Sequence, residues 1–517
     1  MKKYLQEWID GVSFPVFAIA AVFNVSVILF GTLWTETAGR VFAATLAFIT
    51  DYFGWYYIVI VAFFLVFVVW LWSSRYGSIR LGPPDSEPDF GYLSWFSMLF
   101  AAGMGMGLVF WGVAEPLEHF LHPPLAEPET REAMTEAMRF AFFHWGFHPW
   151  AIYILFALGV SFYHFRHGLP LAPRSLLYPL VGDRIHGWLG HVTDGFCVVG
   201  TLLGVATSLG LGAMQINAGL EGLTGIASTP AHQVWIIAII TLVATTSTVT
   251  GVSRGIRFLS MANIALMFLM LVFVFVAGPT LFQIELFLTS LGDYLQNVVE
   301  TSLWVDLREG VSWQSEWTRF YWGWWISWCP FVGIFVARIS RGRTIREFIT
   351  CVFLVPSIAN FLWFSVFGGT AMYLELHEGA NLARQVEDNL AMSLHLLLAE
   401  LPWSGVMQTI GLVLVVAFFI TSSDSGSFVD DMITCGGNPN PPVANRVFWG
   451  VSEGAAAASL LLAGGLDALR TASVSAGLPQ SLLLILASFG LFRALRQEAG
   501  TEGRVATRKL TEPAGGE

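Results

Sequence analysis

Apolar residues in this chain come in long runs rather than in alternation. Twelve runs, each about the 20 residues needed to cross the roughly 30 Å hydrocarbon core of a bilayer, lie near 15–34, 54–73, 92–112, 137–162, 190–216, 233–250, 257–277, 317–338, 347–374, 405–424, 444–464 and 474–493. Only short polar connections separate them. A backbone in hydrocarbon must satisfy its own hydrogen bonds, so the pattern predicts one polytopic all-α membrane protein with twelve transmembrane helices. The first run follows Lys2 and Lys3 but lacks an evident small-residue cleavage site, so it reads as a retained helix rather than a secretory signal.

After the seventh run, "LFQIELFLTSLGDYLQNVVETSLWVDLREG" carries too many charges to cross and enough amphipathic spacing to lie along the membrane surface as a helix. With the first two runs set aside, the other ten divide at this connection into two groups of five. Five is odd, so the second group must be inverted relative to the first. That is the inverted-repeat plan of many secondary transporters, in which interrupted helices meet a substrate at the midplane. The predicted organisation is an N-terminal segment with two peripheral spans (1–91), a first repeat (92–277), the surface helix (278–316), a second repeat (317–493) and a cytoplasmic tail (494–517). The tail after Leu491 is short, polar and mixed in charge, and is expected to be disordered. Its Glu498, Glu502, Glu512 and Glu517 argue against a basic, lipid-sensing role.

Composition sharpens the class. Of 517 residues, 55% are hydrophobic and 12% charged, against about 25% charged in a soluble domain. With both termini inside, most of the 26 Lys and Arg fall on the cytoplasmic side, as expected for a multi-pass protein of the cell membrane. The net charge of −11 sits largely in outward loops such as "EPLEHFLHPPLAEPETREAMTE", which argues against a nucleic-acid partner. Cys197, Cys329, Cys351 and Cys435 have no paired spacing and imply neither disulfides nor a metal knuckle.

Four stretches carry candidate chemistry. "LFAAGMGMGLVFWG" (99–112) places Gly103, Gly105 and Gly107 where a helix is required, although each costs roughly 1 kcal/mol against Ala. No strand precedes it, so a phosphate loop is excluded, and alternate spacing does not build the single face of close helix packing. A broken helix fits better, because its freed N–H groups hold an anion and its freed carbonyls a cation. "WTRFYWGWWISWCPF" (317–331) crowds Trp324, Trp325 and Trp328 on one side of a helix, deeper than an interfacial belt. In "FHWGFHPWAIY", Trp145, Trp150 and Tyr153 fall within an arc of about 140° at 100° per residue. Two indole-bearing helices suggest a cage for quaternary ammonium, with an aromatic-rich core as the alternative. His144 and His148 stand four apart with no third ligand in helical register, which disfavours a metal site. In "FFITSSDSGS" (418–427) an apolar run stops in hydroxyls. Thr421 and Ser422 suit a hard monovalent cation, or bond back to their own helix, and Asp424 is placed to cap the following segment.

Together with "AAGMGMGLVFWGVAEPL", "HWGFHPWAIY", "FYWGWWISWCPFVGIFVARISRGRTIREFI", "TSSDSGS" and "RVFWGVSEGAAAASLLLAGGL", the chain from about residue 12 to 495 resembles the betaine/choline/carnitine transporter family. The resemblance implies a sodium-symporter-like fold with the five-plus-five inverted repeat, usually trimeric, working by alternating access. It implies an aromatic box of Trp145, Trp150, Tyr153 and Trp325, with Trp324 and Trp328 on the same pathway. The substrate carboxylate is expected near Gly103 and Gly105, helped by Ser208. The family's sodium site falls on the carbonyls of Ala101, Met104 and Phe418 and the hydroxyls of Thr421 and Ser422. A second sodium site is in doubt, because Val205 stands where a threonine would pair with Thr201. Choline carriers of the family tend to have an acidic residue at the position of Gly107, so a neutral glycine favours a zwitterion such as glycine betaine, carnitine, ectoine or a sulfonium analogue. Met106 replaces a commoner isoleucine.

The expectation is therefore sodium-coupled uptake of a betaine-like osmoprotectant, with Na+ as coupling ion, no cofactor and no enzymatic activity. Ion-independent substrate/product exchange and proton-coupled choline uptake are the alternatives. An enzyme acting on methylated amines would need a convergent acid/base or metal set that few ionisable residues in the runs supply. A channel would need a ring of filter residues, and none is visible.

Overall fold

The computed structural model describes residues 11–103, 105–250, 253–307, 313–438 and 440–511, with side-chain surroundings undescribed at 101–103, 247–258 and 499–511. Among the described residues it is almost wholly helical, with one isolated β-bridge, Arg80 to Thr344, in place of any strand. The principal helices are α1 (Phe14–Leu33), α2 (Thr35–Ser73), α3 (Tyr92–Gly103), α4 (Met106–Leu121), α5 (Arg131–Trp145), α6 (Phe147–His167), α7 (Trp188–Thr224), α8 (Pro230–Thr250), α9 (Ser253–Ala277), α10 (Thr280–Leu303), α11 (Thr318–Arg338), α12 (Ile345–Glu378), α13 (Ser404–Thr434) and α14 (Val443–Thr511). Nine helical segments among the described residues are long and apolar enough to cross a membrane.

Apart from short interruptions, the described residues of the twelve apolar runs lie on helix, and four of the runs account for the smaller number. The run 92–112 is split between α3 and α4. The run 233–250 lies on α8, whose side-chain surroundings are described only to Thr246, and 444–464 with 474–493 merge in α14 across Gly464 and Gly465, whose φ of 57° is left-handed. The connection predicted to lie on the membrane surface forms α10. It buries Gln283, Ser290 and Tyr294 and exposes an apolar stripe of Leu281, Leu288, Leu295 and Val299 beside a polar one of Glu285, Gln296 and Glu300.

Local signals set the ends. Thr130 caps α5 by accepting from the Ala133 N–H at 3.1 Å, and Thr344 with Glu347 forms a capping box on α12. Two expectations fail here. Asp424 does not stand at a helix end, because α13 continues through it to Thr434, with Ser427 and Thr434 bonding back to the helix backbone. The tail is helical to Thr511 rather than disordered. Glu498 receives both Nε (2.8 Å) and Nη2 (2.7 Å) of Arg166 at the end of α6, which fastens this stretch to the bundle.

The core forms where α14 packs on α2, α7, α8 and α11, and α11 on α6 and α7. Close approach is paid for with glycine: a Cβ on Gly323 of α11 would stand 2.7 Å from Val474 Cα of α14, and one on Gly477 would stand 2.6 Å from the Gly323 oxygen. Polar links join distant segments: Arg80 donates to the Gly342 oxygen at 2.8 Å, Arg346 of α12 to the Ser74 oxygen at 3.0 Å, and Arg139 of α5 faces Asp293 of α10 at 3.6 Å.

Candidate functional site

Where α3 ends at Gly103 and α4 begins at Met106, Gly105 is extended (φ −148°, ψ −172°). The helix is thus interrupted inside an apolar run. The first N–H groups of α4 have no helical acceptor, because bonding to the Gly105 oxygen starts only at Leu108 (3.1 Å). A second interruption at Gly146 separates Trp145, the last residue of α5, from Trp150 and Tyr153 on α6. Only glycine fits there, since a Cβ on Gly146 would meet the Phe142 oxygen at 2.4 Å and the Phe361 ring at 2.6 Å. The 140° arc expected for an unbroken helix therefore does not apply, and the three rings converge for a different reason: α5 and α6 meet at a corner.

That corner, the start of α4 and one side of α11 frame a cavity lined by Gly105, Met106, Gly107, Leu108, Trp145, Pro149, Trp150, Tyr153, Ser208, Trp324, Trp325, Trp328, Val332 and Asn360. The cavity gathers Trp145, Trp150, Tyr153, Trp324, Trp325, Trp328, Gly105 and Ser208, all named from the sequence. Gly103 lies among the residues whose side-chain surroundings are undescribed. Trp145 stands edge-on to Trp325 (4.8 Å, 81°) and to Trp324 (6.3 Å, 89°), Trp324 stacks on Trp325 (5.0 Å, 15°), and Tyr153 meets Trp325 at 6.1 Å and 84°. Ring faces at right angles make concave walls suited to a compact cation. Trp324 Nε1, Trp328 Nε1 and Asn360 Oδ1 are buried without a partner among the described residues. Such orphans are costly unless a ligand or water meets them.

Gly107 sits at the rim between two of these rings. A Cβ there would lie 2.6 Å from Trp324 Cη2 and 3.1 Å from Trp145 Cη2. Sequence reasoning treated this glycine as a matter of charge, whereas the structure makes it one of space as well.

Behind the rings lies a polar cluster that the sequence reading missed. Glu115 of α4 is fully buried and accepts from His144 Nδ1 (2.7 Å), Trp145 Nε1 (2.8 Å) and the Tyr321 hydroxyl (2.5 Å), with His119 Nε2 at 3.3 Å. The ligand atoms of Glu115, His119 and His144 lie within 4.8 Å of one another, a convergence that the spacing of His144 and His148 did not reveal. These atoms already have hydrogen-bonding partners: His144 Nε2 faces Thr318 Oγ1 at 2.9 Å, and His148 is turned away to Ser302 Oγ at 2.7 Å. Glu115 and His119 fall outside the run 92–112, at the start of the stretch read from the sequence as an outward loop, whereas the structure carries α4 through them and buries both.

The residues expected to hold a cation are only partly visible. Met104 lies outside the described residues, as do the side-chain surroundings of Ala101 and Gly103. On α13, Thr421 Oγ1 donates to the Phe418 oxygen (3.1 Å) and the Ala417 oxygen (3.1 Å), and Ser422 beside it is half-buried. Asn263 of α9 donates to Thr421 Oγ1 at 3.0 Å, while its own Oδ1 is buried and unpartnered among the described residues. Sequence inspection did not anticipate this additional oxygen. Thr201 Oγ1 is likewise buried without a partner among the described residues, but Val205 packs its methyls against Gly426 of α13, which leaves an apolar wall beside Thr201.

Comparison with known proteins agrees with this architecture. The family model described as BCCT, betaine/carnitine/choline family transporter, matches residues 15–500. A glycine betaine transporter of Bacillus subtilis (strain 168) is 43% identical over 93% of this chain and 94% of its own length. A glycine betaine/proline/choline transporter of Vibrio parahaemolyticus is 40% identical over 93% of this chain and 90% of its own. An osmo-independent choline transporter of Acinetobacter baylyi is 39% identical over 98% and 96%. With an almost all-helical bundle, its apolar helices and a family match over nearly its whole length, the chain belongs to the betaine/carnitine/choline family of membrane transporters.

Proposed function

We propose that the protein is a sodium-coupled symporter that takes up a betaine-like zwitterion by alternating access. The carrying observation is the cavity, which has indole and phenol faces for a methylated ammonium at one side and the open N-terminus of α4 at the other. Trp145, Trp150, Tyr153 and Trp325 form the cation box, each ring contributing about 0.5–2 kcal/mol. The first N–H groups of α4, with Ser208 and the free indole N–H groups of Trp324 and Trp328, receive the carboxylate near Gly103 and Gly105. A carboxylate-bearing substrate uses these donors, whereas choline has no charge to offer them, so the neutral Gly107 and the orphan donors favour a zwitterion.

Sodium is assigned to Ala101, Met104, Phe418, Thr421 and Ser422. The unpartnered Asn263 oxygen beside Thr421 adds a hard neutral donor of the type a monovalent cation accepts. The membrane potential then adds about 2.3 kcal/mol per charge per 100 mV to accumulation. The twelve runs act as twelve spans with both termini cytoplasmic, arranged as two inverted repeats, and the exposed apolar stripe of α10 suits lipid or a neighbouring copy in a homotrimer.

Uptake of labelled glycine betaine into proteoliposomes with and without a sodium gradient tests this function. Uptake that needs the gradient is expected. Equal flux without it would replace symport by substrate/product exchange, and preference for choline with a proton gradient would replace the zwitterion.

A further inference from the structure

Glu115 does not line the cavity, yet two of its walls hang from it. One carboxylate oxygen accepts from Trp145 Nε1 (2.8 Å) and the Tyr321 hydroxyl (2.5 Å). The other accepts from His144 Nδ1 (2.7 Å). His144 is braced at its far nitrogen by Thr318 (2.9 Å), and its main-chain oxygen receives Trp325 Nε1 at 2.9 Å. The Tyr321 ring in turn stacks parallel to Trp325 (6.0 Å, 18°) and edge-on to Trp145 (5.7 Å, 71°). The two indoles that meet at 81° are thus each held through one residue or one hydrogen bond to the same carboxylate. Only an ionised carboxylate offers acceptors to all these donors at once, and such charge-assisted bonds are shorter and stronger than neutral ones. Glu115 also rides on α4, the helix that starts at the break where the opposite end of the substrate is received.

We propose that Glu115 is a positioning residue that fixes the angle between Trp145 and Trp325, and so sets the preference for a fully methylated ammonium over a partly methylated one. The inference rests on the betaine-like substrate proposed above. A trimethylammonium group has no N–H and is held only by ring faces, so its affinity depends on both walls keeping their angle. A dimethylammonium group keeps one N–H donor that can find an acceptor, such as the free Asn360 oxygen, and depends on that angle less.

The test is uptake KM in proteoliposomes for glycine betaine and for N,N-dimethylglycine, with wild type, Glu115→Gln, Trp145→Phe and the double variant. The amide of E115Q cannot accept from all the donors. Its betaine KM is expected to rise tenfold or more while the dimethylglycine KM rises less than threefold. In the W145F background, which lacks one of the donors, E115Q should add less than threefold. KM values that rise by a common factor, or effects that multiply in the double variant, would assign Glu115 to general stability and overturn the inference. If E115Q fails to fold, Tyr321→Phe removes a single hydroxyl and should shift the same ratio in the same direction; an unchanged ratio overturns the proposal. A wild-type protein that takes up neither compound overturns the substrate reading and this inference with it. Wild-type uptake with an unaltered E115Q ratio overturns the inference alone.

Discussion

Replacing Gly107 by alanine is the smallest change that tests whether the two indoles define the substrate's seat. The new methyl would stand 2.6 Å from Trp324 Cη2 and 3.1 Å from Trp145 Cη2, whereas carbon atoms settle at about 3.5–4.0 Å. Trp324 must therefore retreat by about 1 Å. It has no slack, being buried and sandwiched between Phe320 (5.4 Å, 16°) and Trp325 (5.0 Å, 15°). Overpacking of this kind costs about 1–3 kcal/mol. Alanine in α4 returns up to about 1 kcal/mol of helix propensity, so the variant is expected to fold. The strain falls on the cavity, and 1–3 kcal/mol there corresponds to a loss of about 5- to 150-fold in affinity. The assay is betaine KM in proteoliposomes, with ligand-dependent Trp fluorescence as a second readout. Gly292→Ala on α10 is the control, because a Cβ there meets nothing within 4 Å and the residue is not part of the cavity lining. A G107A carrier with KM within twofold of wild type would refute the placement of the substrate between Trp145 and Trp324.

Trp325→Leu removes the ring that Trp145, Tyr153 and Trp324 all face, and betaine affinity is expected to fall on the order of tenfold or more; unchanged affinity would put the box elsewhere. Thr421→Ala deletes one hydroxyl oxygen worth about 1.5 kcal/mol to a charged partner. The sodium concentration for half-maximal uptake should rise about tenfold, and an unaltered sodium dependence would remove Thr421 from the cation site. Asp194→Asn breaks the buried pair with Arg174 Nε at 2.6 Å, which should cost about 3–5 kcal/mol and lower the unfolding temperature in detergent; a stable variant would show that the pair contributes little.

The elements were legible because a segment in hydrocarbon must close its own hydrogen bonds within the helix, and that requirement is written locally as apolar length. Apart from short interruptions, the described residues of each of the twelve runs are helical. The break near Gly103–Gly105 was legible for the converse reason: poor helix formers in an apolar run are costly. Helix ends in polar sequence were less readable. Asp424 looked like a cap but lies inside α13, and the tail looked too polar to order but α14 carries it on, fastened by Arg166 to Glu498. The second turns on a contact across the bundle rather than on neighbours in sequence.

The site shows the same division. Residue types and motif spacing named eight of the lining residues, since indoles and glycines stand out against leucine and valine in a membrane span. The sequence alone determined that such residues were present, and in which runs. How they are used was decided only in three dimensions. Gly107 became a spacer between two indoles because α4 crosses the end of α5 and one side of α11 there. Glu115 acquired Trp145 and Tyr321 as partners from 30 and 206 residues away, and Asn263 met Thr421 across 158. Local pattern records what a segment must do to enter the membrane. The pairing of buried polar groups depends on which helices touch, and in what register, and that is settled by packing alone.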